Sequence, residues 1–275
     1  MTTVMTPVCL FLLFLSVTAA PRGAIVDDTA TILRDGDIMP NTRRNALLCS
    51  FKGCRWPKSR NGRVYVPYLI SSSYTRDETI IIVNALNSFM TDTCVTFVMK
   101  TWQWDYLDFF PGSGCWSYLG RTGGRQPISL QQRGCVYKGT VQHEALHALG
   151  FHHEQVRSDR DRYVSILTQN IRPGAEGNFK RQKTNNLDTR YDFNSIMHYS
   201  KYAFSKNRQP TIVAKRNPNQ NLGGAKKMSK TDILRVNKLY QCSEWKINTI
   251  FCKTKRVNDG RKRVDLQITS TLGLS

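Results

Sequence analysis

The stretch from residue 143 to residue 153 places histidines and a glutamate at a spacing that suits metal-assisted hydrolysis. His143 and His147 are four residues apart, so on a helix both lie on one face and can point a ring nitrogen at the same ion. Glu144 lies beside the first histidine, where its carboxylate can take a proton from the attacking water without binding the metal. We therefore predict a zinc-dependent hydrolytic site with Glu144 as the general base.

Gly150 and His153 extend this motif beyond the helix. A glycine after the last helical residue readily adopts the left-handed conformation, so Gly150 is predicted to turn the chain back toward the metal. His153 lies at the offset of the extended zincin pattern and is the predicted third ligand, whereas His152 misses that offset and is assigned no role. Ordinary helix histidines are the alternative interpretation, but all five histidines of the chain lie between His143 and His198, whereas unrelated core histidines would be scattered.

Residues 195–199, with the sequence Ser-Ile-Met-His-Tyr, form a second element about forty residues downstream. A methionine such as Met197 normally only fills an apolar core. After an extended zinc helix, however, this segment is similar to the Met-turn of metzincins, a tight turn beneath the metal. A fourth ligand at His198 is disfavoured, because three histidines and a water already complete a catalytic zinc site.

The spacing of apolar side chains predicts the elements that position these residues. Alternation at period two predicts strands, and helical spacing after the capping box Thr75-x-x-Glu78 predicts a helix. Pro67 indicates an edge position for the first strand. The strands are predicted at 64–70, 95–99, 106–110, 116–119 and 127–130, with further helices at 140–149 and after a cap near Ser229. The first half is therefore mixed α/β, and the chain between the last two helices is rich in loops.

The chain is predicted to be secreted as a precursor. Residues 1–20 are predicted to be a signal peptide, with an apolar run too short to span a bilayer. Residues 21–44 follow as a short polar propeptide, and cleavage after Arg44 makes Asn45 the mature amino terminus. No later stretch approaches ~18 apolar residues, so no membrane span is expected. We predict an extracellular protein, stored in secretory granules before release.

The chain is strongly basic, with 40 Lys and Arg against 20 Asp and Glu and a formal charge of +20. Nucleic acid, an anionic polysaccharide or an acidic protein matrix are partners that this charge suggests. Secretion and the lack of a nucleic-acid motif argue against nucleic acid, and a solvated basic surface is the favoured interpretation. Residues 243–275 form a basic tail of unknown role, with seven basic against three acidic side chains.

The motif residues together resemble the signature of the astacin family of zinc metalloendopeptidases. The resemblance covers about residues 45–242. The sequence of residues 45–49, Asn-Ala-Leu-Leu-Cys, is most similar to that of fish hatching enzymes. The matching residues are His143, Glu144, His147, Gly150, His153 and Glu154, then Arg157, Asp159, Arg160 and Asp161, and finally residues 195–199.

The resemblance implies an α+β fold, that of a two-lobed metzincin catalytic domain. Its N-terminal lobe has a mixed five-stranded sheet and two long helices, its C-terminal lobe is mostly irregular, and one zinc ion per subunit lies in the cleft. Substrate then lies antiparallel to an edge strand, here formed by Trp116, Ser117, Tyr118 and Leu119.

The resemblance also implies roles for three further residues. Tyr199 approaches the zinc and helps to stabilise the tetrahedral intermediate, and Glu154 receives the new amino terminus after activation. Asp37, in the pair Gly36-Asp37, binds the zinc in the zymogen and displaces the catalytic water. Arg34 stands where the family has an aromatic residue, and a solvated acidic turn is the alternative interpretation of Asp37.

Disulfide pairing is likewise implied by the resemblance. The implied pairs are Cys94 with Cys242, Cys115 with Cys135, and Cys49 with Cys54. Cys9 leaves with the signal peptide, so Cys252 in the basic tail remains as the odd thiol.

The resemblance predicts that the protein hydrolyses peptide bonds in egg-envelope glycoproteins after a protease cleaves behind Arg44. A first alternative is an astacin-like protease of blood or mucosal tissue that acts on matrix or other proteins. A second alternative is a catalytically silent binding module. Every motif position is intact, which argues against the silent module.

Overall fold

The computed structural model describes residue 33, residues 36–40 and residues 54–242. No helix among these residues is long and apolar enough to cross a membrane. Several predictions fall outside the described residues and stay predictions. They concern the signal peptide, Arg34, cleavage after Arg44, the mature start at Asn45, the Cys49–Cys54 bond, and the basic tail with Cys252.

A twisted, mostly parallel sheet forms the N-terminal lobe. Its strands are β1 (Ile38–Met39), β2 (Val64–Ile70), β3 (Val95–Met99), β4 (Tyr106–Phe110), β5 (Cys115–Tyr118) and β6 (Arg125–Leu130), in the order β1-β5-β6-β4-β2-β3. Only the β5–β6 pair is antiparallel. The five strands expected for the peptidase domain are all present, and the sixth, β1, comes from the predicted propeptide.

The edge position predicted for the strand that contains Pro67 is wrong. β2 lies between β3 and β4 and is an interior strand. It pairs with β3 along residues 64–68, but with β4 only along residues 68–70. At Pro67 the strand therefore has β3 as its only neighbour, so the proline that lacks an N–H is tolerated inside the sheet.

In the described part of the chain, four helices accompany the sheet: α1 (Arg76–Asp92), α2 (Gln132–Cys135), α3 (Lys138–Ala148) and α4 (Lys230–Leu239). The capping box predicted at Thr75 forms, since Thr75 and Glu78 each bond the other's backbone N–H. α1 buries Leu86 and Phe89 completely against the sheet. α3 packs against both α1 and β5, and this contact fixes the zinc motif relative to the edge of the sheet.

The C-terminal lobe is mostly irregular, as expected from the loop-rich sequence. Between α3 and α4 the described chain forms single 3₁₀ turns and one short antiparallel pair, β7 (Val164–Ile166) with β8 (Ile212–Ala214). A second apolar cluster lies here and includes the buried Ile171 and Phe179. The cleft with the histidine motif lies between this lobe and the sheet.

Among the described residues two disulfides join distant segments, in two of the three pairs that the resemblance implies. Cys94, just before β3, is bonded to Cys242 after α4, and Cys115 in β5 is bonded to Cys135 in α2. The first bond closes a loop of 148 residues. In the chain-entropy model a loop of this size contributes about 5 kcal/mol to stability by restricting the unfolded chain. In the folded structure the bond ties the end of α4 to the start of β3.

Candidate metal centre

The helix α3 ends where the motif requires a change of direction. Leu149 is the last residue with right-handed geometry, and Gly150 follows with a φ of 106°. Its N–H donates to the carbonyl of His147 at 2.8 Å, which closes the final turn. A residue with a Cβ adopts this φ only with strain. The turn brings His153 back toward His143 and His147.

Three imidazole Nε2 atoms and one carboxylate meet at a single point of the cleft. Nε2 of His143 lies 3.1 Å from that of His147 and 3.2 Å from that of His153. Asp37 Oδ2 lies 3.2 Å from Nε2 of both His143 and His153. One ligand atom from each of the four residues falls within 4.8 Å of the others.

The tautomers of two rings show that this cluster fits a cation. His143 Nδ1–H donates to the carbonyl of Ile196 at 2.8 Å, and His147 Nδ1–H donates to the carbonyl of Phe151 at 2.7 Å. A carbonyl oxygen only accepts, so each Nδ1 carries a proton, and in a neutral ring the Nε2 then presents a lone pair. Although burial lowers the pKa of His143, the hydrogen bond and the charge of Asp37 raise it to about 9. Burial also lowers the pKa of His147 to about 4, which keeps its ring neutral. Where both rings are neutral, their lone pairs face each other at 3.1 Å, and a cation between them relieves this repulsion. A set of imidazoles suits Zn²⁺.

Glu144 lies beside the cluster and does not belong to it. Its side chain is almost completely buried, and its Oε2 has no hydrogen-bond partner within the described part of the chain. Burial raises the pKa of Glu144 well above its usual range, and the neighbouring carboxylate of Asp37 adds to this effect. The carboxylate is therefore placed to take up a proton.

Asp37 reaches the cluster from the predicted propeptide, and the alternative of a solvated acidic turn does not hold. Burial favours the neutral acid, but the rings of His153 and His147 hold the pKa of Asp37 well below its usual range. Gly36 precedes it with a φ of 86°, and a Cβ there would lie 2.7 Å from the hydroxyl oxygen of Tyr199. The approach to the cluster therefore requires a glycine at this position.

The segment after Asp37 covers the predicted substrate strand. β1 pairs in parallel with β5, with Ile38 opposite Ser117 and Met39 opposite Tyr118. The N–H of Ser117 also donates to the carbonyl of Asp37 at 3.0 Å. A substrate that lay antiparallel to β5, as predicted, would need the edge that β1 occupies.

Residues 195–199 form a turn below the histidines. The Ile196 carbonyl accepts from His143, and the Met197 carbonyl accepts from the N–H of Glu154 at 2.9 Å. The ring of Tyr199 lies against that of His153, with centroids 4.6 Å apart. The turn thus contacts both ends of the zinc motif.

His198 and His152 lie outside the donor cluster, in agreement with the sequence analysis. His198 is a buried core histidine. Its Nδ1 donates to the carbonyl of Tyr199, and its Nε2 is bonded to the hydroxyl of Tyr191 at 2.8 Å. Burial lowers the pKa of His198 to about 4, which suits a neutral ring in the core.

Two residues of α4 support the site, and neither was singled out by the sequence analysis. Asp232 accepts from the hydroxyl of Ser195 at 2.6 Å and from the N–H of Ile196 at 3.0 Å. Arg235 forms a bidentate pair with Glu154. The capping box Ser229-x-x-Asp232 is a sequence signal that marks Asp232, whereas no local pattern marks Arg235.

Comparisons with known proteins agree with this geometry. Residues 52–241 match the family model described as Astacin, a peptidase family. High choriolytic enzyme 2 of Oryzias latipes is 46% identical over 217 residues, which are 78% of this chain and 78% of that protein. The Low choriolytic enzyme of the same fish is 46% identical over 212 residues, covering 76% and 78% of the two chains.

A solved structure gives the same result. High choriolytic enzyme 1, a hatching enzyme zinc-protease from Oryzias latipes, superimposes with a TM-score of 0.70 at 46% identity. The match covers 72% of this chain and 100% of that chain. The sheet, the helices and the histidine cleft are thus those of an experimentally known fold.

Proposed function

The chain belongs to the astacin family and is a zinc metalloendopeptidase, and from this premise we propose how its residues divide the chemistry. The proposed zinc ligands are His143, His147 and His153. Glu144 is proposed as the general base and Tyr199 as the oxyanion donor. Gly150, Glu154 and Met197 are proposed to hold these groups in place.

Zinc, when bound, supplies Lewis-acid polarisation of the scissile carbonyl and acidifies the attacking water. The backbone carbonyls of Ile196 and Phe151 fix the ligand rings, because each accepts the Nδ1 proton of one histidine. Glu144 takes the proton of the attacking water and delivers it to the leaving amine. The hydroxyl of Tyr199 then donates to the developing oxyanion.

We propose that the precursor is organised in four parts. Residues 1–20 are the signal peptide, residues 21–44 the propeptide, residues 45–242 the peptidase domain, and residues 243–275 a basic tail. β1 lies on the proposed substrate edge, and Asp37 lies in the histidine cluster. Both belong to the proposed propeptide, so cleavage after Arg44 would allow them to leave the cleft together. Secretion follows from the proposed signal peptide, and storage in granules stays a prediction.

For the physiological substrate we propose egg-envelope proteins, with the choriolytic enzymes as the supporting observation. Two of them share 46% identity with this chain over more than three quarters of its length. Activated protein should release soluble fragments from isolated egg envelope and leave tissue matrix largely intact. Zinc chelation should stop the release, and added Zn²⁺ should restore it. Preferential digestion of tissue matrix would support the alternative role in blood or mucosa.

Replacing Tyr199 with phenylalanine tests the oxyanion role. Loss of one oxyanion donor is expected to lower kcat roughly 10²-fold to 10³-fold with little change in KM, because the hydroxyl acts mainly in the transition state. Steady-state kinetics with a peptide substrate measures both constants. Tyr202→Phe is the matched control, since that ring is 53% exposed. An unchanged kcat for Tyr199→Phe would remove Tyr199 from the mechanism.

A further inference from the structure

The carboxylate of Glu154, next to the third histidine, already has a strong internal partner. Arg235 Nη1 lies 2.5 Å from Oε2, and Nη2 lies 2.9 Å from Oε1. Oε1 also accepts from the N–H of Asp192 at 2.7 Å and from Arg157 Nη1 at 3.4 Å. Glu154 is 2% exposed and Arg235 is 7% exposed. A buried, bidentate pair of this kind is strongly coupled.

The guanidinium of Arg235 is also fixed from its other sides. Its Nε donates to the hydroxyl of Thr189 at 2.9 Å, and Nη2 donates to the carbonyl of Arg190 at 3.0 Å. Its helix α4 begins in the capping box at Ser229 and ends beside the Cys94–Cys242 bond. Swinging Arg235 away from Glu154 would break these bonds and leave a buried charge without its partner, which is strongly unfavourable.

Glu154 connects this pair to the metal centre. Its backbone follows His153 directly, and its N–H donates to the carbonyl of Met197 at 2.9 Å. One turn earlier on α4, Asp232 holds the N–H of Ile196, whose carbonyl orients His143. Two side chains of one helix thus support two of the proposed zinc ligands from outside the cleft.

We propose that Arg235 is a permanent positioning residue, the counter-charge of Glu154 in the propeptide-bound and the mature enzyme alike, which holds His153 and the turn at 195–199 for zinc binding. The inference rests on the proposed function and deepens it. The competing possibility is that Arg235 is only a placeholder, a residue that pairs with Glu154 in the precursor and releases it when the new amino terminus arrives. The guanidinium of Arg235 makes four hydrogen bonds and its helix is fixed at both ends, so its displacement from Glu154 would be energetically unfavourable. An ammonium group arriving at Glu154 would join the pair instead of replacing it.

The test uses the full-length precursor, activated by cleavage, as wild type and as Arg235→Gln, Arg235→Lys and Lys238→Gln. Lys238 is the control for loss of one charge on α4, because its ammonium is exposed and donates to the backbone carbonyl of Leu187. We expect Arg235→Gln to lower kcat at least tenfold with KM within about twofold, and to release zinc at an at least tenfold lower chelator concentration. Arg235→Lys should recover part of both losses, since lysine restores the positive charge but not the two N–H donors that bind the carboxylate bidentately. Lys238→Gln should match wild type.

A placeholder gives the opposite result. Activated Arg235→Gln would then show wild-type kcat and wild-type zinc affinity, and the proposal would be overturned. Should Arg235→Gln not fold, as judged by circular dichroism, Arg235→Lys decides, because wild-type values in that variant would likewise exclude a need for the bidentate contact. A wild-type protein without chelator-sensitive peptidase activity would refute the proposed function, while the chelator competition would still test Arg235.

Discussion

Activated protein carrying Glu144→Gln is expected to bind zinc normally and to hydrolyse peptides about 10³-fold to 10⁴-fold more slowly than wild type. A positioned general base typically contributes about 10²-fold to 10⁴-fold to the rate. The expected loss lies in the upper part of this range. Glutamine has nearly the same shape but cannot take up the proton of the attacking water. Zinc stays because Glu144 lies outside the donor cluster of His143, His147 and His153.

Two measurements on the same preparation test this expectation. Peptide hydrolysis gives kcat/KM, and elemental analysis gives the zinc content per chain. Glu176→Gln is the matched control, since Glu176 is exposed in the C-terminal lobe and accepts from the nearby N–H of Gly174. Turnover within tenfold of wild type would refute the role of Glu144 as base. Loss of zinc would show instead that its carboxylate contributes to metal binding.

The zinc motif was predictable from sequence because each of its determinants is local. The spacing of His143 and His147 defines one helical face, and Gly150 alone provides the left-handed turn after the helix, at a φ of 106°. The capping box at Thr75 is equally local and formed as predicted. Such features depend on residues within one or two turns, so the rest of the fold hardly alters them.

Features that depend on distant segments were predicted poorly or were missed. Pro67 indicated an edge strand from its missing N–H, yet β2 is interior, because β4 begins to pair only after that residue. Arg235 lies 81 residues from Glu154 along the chain, and no local pattern marks their contact. Its role follows only from the packing of α4 against the zinc-binding segment.

The resemblance supplied what local patterns could not. Asp37 lies 106 residues before His143, and neither composition nor spacing links them. Asp35 and Gly36 precede it directly, and both residue types are common in turns, so a solvated turn was a reasonable physical interpretation. Gly36 is the feature that supports docking on physical grounds, since Tyr199 leaves no space for a Cβ there. The glycine thus allows Asp37 to reach the histidines, and loss of the Asp37 carboxylate should have a large effect.

Replacing Asp37 with alanine should make the uncleaved precursor active. Loss of one partner from a buried charged contact costs about 2–5 kcal/mol, which corresponds to a roughly 30-fold to 4,000-fold change in the fraction of precursor with an open metal site. The carboxylate lies within 3.4 Å of all three histidine Nε2 atoms, so alanine removes every one of these contacts. We expect peptide hydrolysis by uncleaved Asp37→Ala to exceed that of uncleaved wild type at least thirtyfold.

The activated enzyme provides an internal control for this variant. The proposed cleavage behind Arg44 would remove residue 37, so mature wild type and mature Asp37→Ala would have the same sequence and the same kcat/KM. Asp77→Ala, at an exposed position in α1, controls for loss of an acidic side chain in the precursor. If uncleaved Asp37→Ala stays as inactive as wild type, the pairing of β1 with β5 is sufficient to block the cleft. In that case latency depends on the covered substrate edge, and Gly36→Ala, which displaces the segment leading into β1, should release activity where Asp37→Ala does not.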